Sequence, residues 1–342
     1  MRIGIVGLPN VGKSSLFNLL TKAGAAVETY PFTTIDANHG MAVLADYTLD
    51  RLGRMLSPQK LTLAQIEVID IAGLIKDAHK GEGLGNRFLG HIRDVDLVLH
   101  VIRGFVDKNI PHVFDTVDPC RDAEIVLSEL ALADLEIVER RLAEKRKKPQ
   151  ARDEVNLLER YRLLISKAAF SLNGSYTDDE ALCLKSCGLL IPRPRIDVLN
   201  LPDKNSSVEL RGAYRLSVEL EEGLEGFDPG EREELRRGIA VDNRGVNGLV
   251  EEARRVLGLI RFYTIKGSEV RAWLITEGST AHEAAAKIHT DIAEGFIKAE
   301  VVGAADLIEA GSWREASASG KLKVEGKDYI VQDQDVLLVK FR

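Results

Sequence analysis

The octapeptide GLPNVGKS, residues 7–14, sets the fold class of this chain. It follows a short apolar run at 3–6 and precedes residues 15–20, whose apolar side chains have helical spacing. This is the pattern G-x-x-x-x-G-K-S between a strand and a helix. Glycines let backbone N–H groups point into such a loop, and the following helix adds the positive end of its dipole. The motif therefore predicts a phosphate-binding loop.

The residue types in this loop indicate how it meets a nucleotide. Lys13 is expected to reach the terminal phosphates, and the Ser14 hydroxyl is expected to bind Mg²⁺. Asn10 is a candidate for holding a monovalent cation such as K⁺ against the phosphates, and its alternative role is to shape the loop. We expect contacts on the phosphate side from Asn10, Val11, Gly12, Lys13, Ser14 and Ser15.

A second motif, VIDIAG at 68–73, is an apolar strand that ends in Asp-x-x-Gly. Asp70 is the expected magnesium-ordering carboxylate, and Gly73 is expected to present its N–H to the terminal phosphate. Residues 30–35, YPFTTI, lie between the two motifs. Their Thr34 is predicted to bind Mg²⁺ and to sense the terminal phosphate as part of a switch segment.

The sequence pattern is least clear about which residue activates the attacking water. Leu74 stands where many GTP-hydrolysing switches have a glutamine that orients water, so slow turnover is expected, with help from elsewhere in the chain, a partner or a cation. The glycine-rich run 81–85 is a candidate second switch. His112, in the loop after the apolar strand 96–102, is a candidate for reaching the attacking water, with an ordinary surface role as the alternative. The candidate catalytic residues are Lys13, Gly73 and His112.

A charged helical segment interrupts the pattern between 121 and 189. Apolar side chains recur at intervals of three and four in 135–142 and again in 157–168, which predicts two amphipathic helices. The basic run 144–149 lies between them. We expect an antiparallel hairpin whose basic tip either contacts RNA or another acidic surface or is simply solvated. The sequence TDDE at 177–180 predicts a capping box for a third helix.

The base-reading corner follows the next apolar strand, 195–200, and reads NLPD at 200–203. Strict GTP binders have Asn-Lys-x-Asp at this corner, and here the lysine is missing. The Asp203 carboxylate matches the paired N–H donors of guanine, whereas adenine would set an unprotonated ring nitrogen against it. Ser217, within LSVEL at 216–220, is predicted to lie on the last base-side loop. The candidate base-side residues are Asn200, Asp203 and Ser217.

The C-terminal region predicts a separate small α+β domain. Alternating apolar runs at 271–275 and 336–341 flank a helical pattern at 279–288. We therefore divide the chain into a nucleotide-binding domain at 1–120 and 190–257, a helical insertion at 121–189 and a C-terminal domain at 258–342.

Taken together, these segments resemble the YchF, or Obg-like ATPase, family of P-loop proteins. The resemblance implies an α/β fold, with a Ras-like P-loop NTPase domain, an inserted helical hairpin and a C-terminal α+β TGS domain. It also implies ATP hydrolysis and association with ribosomes. The matching segments are 7–15, 30–35, 70–74, 80–86, 129–135 and the C-terminal segment.

The resemblance leaves the preferred base open. Members of the family typically carry Asn-x-x-Glu at the base-reading corner, a pattern that goes with acceptance of adenine, and Asp203 departs from that glutamate. We expect a ribosome-associated purine nucleoside triphosphatase that prefers ATP and changes its partner affinity through segments near Thr34 and Gly73. A GTP-specific switch with negligible turnover, and a ribosome- or RNA-binding module with a structural nucleotide, are the alternatives.

Composition excludes several other classes of protein. The 342 residues exceed a single comfortable core, and the net charge of −7 argues against a surface that coats nucleic acid generally. The three cysteines lack the pairing of a zinc site. The apolar run that follows Arg2 is too short for a signal peptide or a membrane span. We expect a cytoplasmic monomer that binds Mg²⁺ with ATP or GTP and has no membrane contact.

Overall fold

A computed structural model describes residues 1–25, 39–71, 95–146, 149–167, 176–239, 241–242 and 244–342. Within these residues the chain forms two compact units. As far as they are described, the first contains Met1–Leu19, Thr34–Gly40 and Glu67–Val246, and the second contains Leu20–Thr33, Met41–Ile66 and Asn247–Arg342.

The described strands are β1 (Arg2–Val6), β2 (His39–Val43), β3 (Lys60–Thr62), β4 (Gln65–Asp70), β5 (Leu97–Arg103), β6 (Arg195–Asn200), β7 (Tyr214–Leu216), β8 (Leu259–Lys266), β9 (Glu269–Thr276), β10 (Phe296–Gly303), β11 (Lys323–Glu325) and β12 (Asp335–Phe341).

The described helices are α1 (Lys13–Ala25), α2 (Tyr47–Leu56), α3 (Pro119–Lys145), α4 (Arg152–Ile165), α5 (Asp178–Ser186), α6 (Val218–Leu224), α7 (Pro229–Ile239), α8 (Gly245–Val256), α9 (Ala281–Ile288), α10 (Thr290–Glu294), α11 (Ala304–Ala310) and α12 (Trp313–Ala318).

The sheet that carries the first motifs has the strand order β2-β4-β1-β5-β6-β7. Strand β1 lies parallel to β4 and β5, and β6 lies parallel to β5 and β7. Strand β5 is buried along its whole length, as expected for a parallel strand covered on both faces. Because parallel strands end at the same edge of a sheet, the carboxyl ends of β1, β4 and β6 meet there. Each of the three predicted nucleotide motifs includes or directly follows one of these strand ends.

The helical insertion is anchored by one buried carboxylate. Asp134 of α3 accepts hydrogen bonds from the Tyr161 hydroxyl of α4 at 2.5 Å, from the Leu190 N–H at 2.7 Å and from the Ile191 N–H at 2.9 Å. Burial raises the pKa of Asp134 to about 6, although these hydrogen bonds oppose the rise. The carboxylate thus ties α3 both to α4 and to the chain segment that leads into β6.

The two predicted amphipathic helices are confirmed as α3 and α4, which pack against each other. The apolar face of α4 buries Leu157, Leu158 and Tyr161. The predicted capping box is confirmed as well, because Thr177 and Glu180 exchange hydrogen bonds at the start of α5. Residues 147 and 148 of the predicted basic tip lie outside the described residues.

The second unit has a mixed sheet in the order β11-β10-β12-β8-β9-β3. Helix α9 packs on a core that includes Phe262, Val301 and Leu337. Helix α2 is attached through its N-cap residue Asp46, which accepts a hydrogen bond from the Tyr263 hydroxyl at 3.0 Å. The region 259–342 therefore has α+β character, as the sequence indicates. Its assignment as a TGS domain and the three domain boundaries stay predictions.

All three cysteines of the chain lie within the described residues. Cys120, Cys183 and Cys187 are free thiols, and Cys187 is buried at the C-cap of α5. Across the described helices, no segment combines the length and the apolar character needed to cross a bilayer.

Candidate nucleotide-binding site

The loop between β1 and α1 has the backbone conformation that its glycines allow. Gly7 has φ 153°, and a Cβ there would lie 2.3 Å from the Val101 carbonyl oxygen. Gly12 has φ 99°, and a Cβ there would lie 2.6 Å from the Asn200 amide nitrogen. Both positions therefore require glycine for conformation and for space. Asn10 is left-handed at φ 61°, a conformation that asparagine tolerates better than most residues.

Three polar side chains from two motifs meet beside this loop. The Ser14 hydroxyl donates a hydrogen bond to Asp70 Oδ2 at 3.0 Å, and the Lys13 ammonium donates to the Leu8 carbonyl at 2.8 Å. Burial lowers the pKa of Lys13, and the nearby Asp70 charge opposes that shift. The structure thus brings together Lys13, Ser14 and Asp70, while Ser15 follows in the first turn of α1.

Asp70 also provides the test of whether a cation suits this site. Its Oδ1 atom is buried and has no hydrogen-bond partner within the described residues. Buried carboxylate oxygens are normally satisfied, so an oxygen left without a donor is available to a ligand. A carboxylate and a hydroxyl are oxygen donors of the kind that Mg²⁺ takes beside phosphates. The residues present therefore fit a magnesium ion.

Asn200 connects the phosphate-binding loop to the base-side loop. Its amide donates to the Val11 carbonyl at 3.0 Å, and its Oδ1 accepts from the Val218 N–H at 3.1 Å. The side chain is buried, so both halves of the amide are used inside the protein. Asn200 therefore acts as a brace at the edge where β1 and β6 end.

The other residues of the base-side corner differ in burial and in their hydrogen bonds. Asp203 is exposed, and its Oδ1 accepts a hydrogen bond from the Asn205 N–H at 2.7 Å. Ser217 is buried at the N-cap of α6, and its hydroxyl donates to the Pro202 carbonyl at 3.1 Å. Leu201 is buried in an apolar cluster with Ile102 and Leu199, so its side chain does not cover a base.

The chain is similar to known proteins over almost its whole length. Residues 2–139 match the MMR_HSR1 family, described as "50S ribosome-binding GTPase", and residues 259–342 match YchF-GTPase_C, described as "Protein of unknown function (DUF933)". The Bacillus subtilis protein "Ribosome-binding ATPase YchF" is 38% identical over 99% of this chain and 98% of its own length. The Haemophilus ducreyi protein of the same name is 37% identical, with 99% of each chain covered. This chain belongs to the YchF family.

The fold agrees with a solved YchF structure. "Structure of the Schizosaccharomyces pombe YchF GTPase" superposes with a TM-score of 0.85 and 30% sequence identity, covering 99% of this chain and 97% of that one. This YchF family member is thus a P-loop NTPase with the predicted α/β fold. The names of these relatives differ in the nucleotide, since the bacterial proteins are called ATPases and the Schizosaccharomyces pombe protein a GTPase.

In this YchF family member a buried arginine at the end of β5 meets the phosphate-binding loop. The Arg103 guanidinium donates to the carbonyls of Phe105 and Ile110 at 3.0 Å each and to the Asn10 carbonyl at 3.4 Å. The Asn10 side-chain amide in turn donates to the Pro111 carbonyl at 3.0 Å. Sequence patterns do not identify Arg103 as a functional residue. It belongs to no recognised phosphate motif, and by position it is simply the last residue of an apolar strand.

His112 lies one residue beyond that contact, and its side chain is only 6% exposed. Its Nδ1 accepts a hydrogen bond from the Phe114 N–H at 3.1 Å, and its Nε2 lies 2.9 Å from Asp122 Oδ2. The second pair has an ion-pair distance without hydrogen-bond alignment. His112 is therefore enclosed by its own loop and by the start of α3, rather than lying on the surface.

Several predicted site residues lie outside the described residues. These are Thr34, Gly73 and Leu74, together with the whole of the two expected switch segments at 30–35 and 81–85.

Proposed function

We propose that this protein hydrolyses a purine nucleoside triphosphate with Mg²⁺, that it prefers ATP, and that its nucleotide state changes its affinity for the ribosome. The observation that carries the proposal is the meeting of Lys13, Ser14 and Asp70 beside the loop, with Asp70 Oδ1 left for a cation.

On the phosphate side, each residue has a distinct task. The Lys13 ammonium exchanges the Leu8 carbonyl for phosphate oxygens, and the N–H groups of Val11, Gly12 and Ser14 line the loop at the positive end of α1. Ser14 and Asp70, together with Thr34, would hold Mg²⁺, which would supply positive charge to the phosphate oxygens during hydrolysis.

Base preference rests on Asp203 and Leu201. Asp203 Oδ1 accepts the Asn205 N–H, but a carboxylate has about four acceptor sites, so this contact does not exclude guanine. Leu201 is buried and provides no cover over a purine. The missing lysine at Leu201 weakens guanine selectivity, and the name of the bacterial relatives points to ATP. Ser217 supports the corner through its bond to the Pro202 carbonyl.

Slow intrinsic turnover is part of the proposal. Gly73 donates its N–H to the terminal phosphate. The His112 side chain moves away from Asp122 and approaches the attacking water. Asn10 would hold a monovalent cation such as K⁺ near the phosphates. Because Leu74 cannot orient water, we expect stimulation by a partner or a cation.

The partner proposed is the ribosome. The bacterial relatives are named ribosome-binding, and the switch segments near Thr34 and Gly73 would carry nucleotide state to that contact. The exposed end of the α3–α4 hairpin and a TGS-like region at 258–342 are the proposed contact surfaces. A ribosomal partner places the protein in the cytoplasm, where we expect it to act as a monomer.

Turnover assays test this proposal directly. ATP and GTP hydrolysis would be measured with and without ribosomes for the native chain, Lys13→Ala and Asp70→Asn. We expect ATP hydrolysis that ribosomes stimulate and that both variants reduce by at least tenfold. Lys22→Ala, which removes a lysine at the far end of the same helix, serves as the control and should keep native turnover.

Two results would replace the proposal. Tight GTP binding with negligible turnover would favour a GTP-specific switch, which the presence of aspartate rather than glutamate at 203 supports. Binding of nucleotide and ribosome without hydrolysis under any condition would indicate a ribosome-binding module with a structural nucleotide.

A further inference from the structure

Among the residues that the structure describes, Arg103 is the largest of the almost fully buried side chains, at 1% exposure. Burial lowers the pKa of its guanidinium, with the Asp107 and Asp122 charges opposing the shift. A buried cation is costly unless its donors are satisfied. The hydrogen-bond acceptors found for it here are backbone carbonyls, those of Phe105, Ile110 and Asn10. An apolar side chain would fill this position at lower cost, so the guanidinium has a positional role.

The geometry of a trans peptide indicates that this role is to orient backbone N–H groups of the loop. The C=O and N–H of one peptide unit point in opposite directions. Because Arg103 holds the Asn10 carbonyl, it also directs the N–H of Val11 away from itself. Asn200 holds the next carbonyl, that of Val11, and so directs the N–H of Gly12 in the same manner. Two successive peptide units of the phosphate-binding loop are therefore each fixed by one buried side chain.

The same loop is also fixed from its other side. The Asn10 side-chain amide donates to the Pro111 carbonyl, and Arg103 donates to the neighbouring Ile110 carbonyl. Arg103 therefore bonds both to the phosphate-binding loop, at Asn10, and to the segment that leads to His112, at Ile110. Asn10 is held through both its backbone and its side chain in the left-handed conformation that the loop needs.

We propose that Arg103 is a positioning residue for nucleotide binding and hydrolysis, which orients the Val11 N–H toward the phosphates and sets the spacing between the loop and the His112 segment. This inference rests on the proposed function for its effect on turnover. Its effect on triphosphate affinity stands independently, because a loop that presents N–H groups to phosphates binds them whether or not hydrolysis follows.

Arg103→Ala, assayed by titration with Mg-ATP, tests the proposal. We expect affinity at least tenfold weaker, and we expect added guanidinium ion to restore most of it. Methylammonium has the same charge without the planar fork and should not rescue. Arg193→Ala is the matched control, because Arg193 is also buried and donates to a backbone carbonyl, that of Val95. This control should lose stability and keep native affinity.

Three outcomes would overturn the proposal: unchanged affinity in Arg103→Ala, rescue by methylammonium as effective as rescue by guanidinium, or an equal affinity loss in Arg193→Ala. If Arg103→Ala does not fold, Arg103→Lys decides the matter, since the three donors of an ammonium leave a single nitrogen, whereas three separate guanidinium nitrogens reach the three carbonyls, so ATP binding should still weaken severalfold. Native-like affinity in a folded Arg103→Lys would also count against it. Absence of hydrolysis in the native chain would instead remove the proposed function and leave the affinity test intact.

Discussion

At the residue scale, the phosphate-binding loop depends on two glycines whose missing side chains make room for named neighbours. Gly7 faces the Val101 carbonyl, and Gly12 faces the amide of Asn200. The second contact matters more for recognition, because the same amide nitrogen donates to the Val11 carbonyl. One methyl group at position 12 would therefore disturb the loop and the base-side corner together.

We predict that Gly12→Ala weakens Mg-ATP binding by at least tenfold. The new Cβ would lie 2.6 Å from Asn200 Nδ2, and φ 99° is strained for alanine, which adds on the order of 1–3 kcal/mol. Calorimetric titration measures the affinity. Gly188→Ala is the control, since Gly188 also has a left-handed φ of 78° but has open space around its Cβ position. Equal affinity in Gly12→Ala and the native chain would contradict the prediction.

Sequence patterns anticipate the parts of this site that depend on motif and strand order. Lys13, Ser14 and Asp70 meet because β1 and β4 are adjacent parallel strands, and the motifs predict both strands. The use of Arg103 has no such signal, because its acceptors are backbone carbonyls that any residue supplies. The Asn205 contact of Asp203 is likewise a local turn that the four-letter corner motif does not specify. The roles of these residues in binding and catalysis stay predictions.

At the element scale, the α3–α4 pair is held by polar as well as apolar contacts. Tyr161 and Asp134 are both fully buried in the pair, and the Asp134 carboxylate also caps the chain at Leu190 and Ile191. Helical periodicity predicts the apolar face correctly. The carboxylate at the centre is not predictable in this way, because periodicity does not indicate which charged residue on a helix is buried.

We predict that this carboxylate makes stability depend on pH between about 4 and 6. Its pKa of about 6 lies above the ordinary value of 3.8, so the folded state binds more protons than the unfolded state in that window. The free energy of unfolding should therefore be highest below the window and fall as pH rises to 6, by on the order of 3 kcal/mol from this group.

Urea denaturation at a series of pH values, comparing the native chain with Asp134→Asn, isolates the effect. The variant should be less stable throughout, because asparagine sets an amide N–H against groups that need an acceptor. The difference between the two chains should nevertheless shrink as pH rises through the window. A difference that stays constant from pH 4 to 7 would show that Asp134 does not titrate there.

At the scale of the whole molecule, the second unit is assembled from distant parts of the chain. Strand β3 pairs in parallel with β9, and the Tyr263 hydroxyl donates to Asp46, 217 residues earlier. The C-terminal family match at 259–342 includes neither β3 nor α2. Local sequence patterns do not indicate this pairing, because nothing in residues 41–66 marks where they will pack.

We predict that a fragment comprising 259–342 unfolds at a lower denaturant concentration than the same region in the full chain. Without Asp46 the buried Tyr263 hydroxyl loses its acceptor, which costs about 1–3 kcal/mol, and the β9 edge loses its partner strand. Fluorescence reports on this region, since both tryptophans of the chain, Trp273 and Trp313, lie in it. Equal unfolding midpoints for fragment and full chain would contradict this prediction.

The central claim is that Lys13, Ser14 and Asp70 form a magnesium-dependent triphosphate site that prefers adenine. Calorimetric titration of the nucleotide-free protein with ATP and with GTP, each with Mg²⁺ and with EDTA, tests it most directly. We predict that ATP binds at least as tightly as GTP and that removing Mg²⁺ weakens ATP binding in the native chain far more than in Asp70→Asn. GTP binding tighter by tenfold or more, about 1.4 kcal/mol, or ATP binding indifferent to Mg²⁺, would contradict the account.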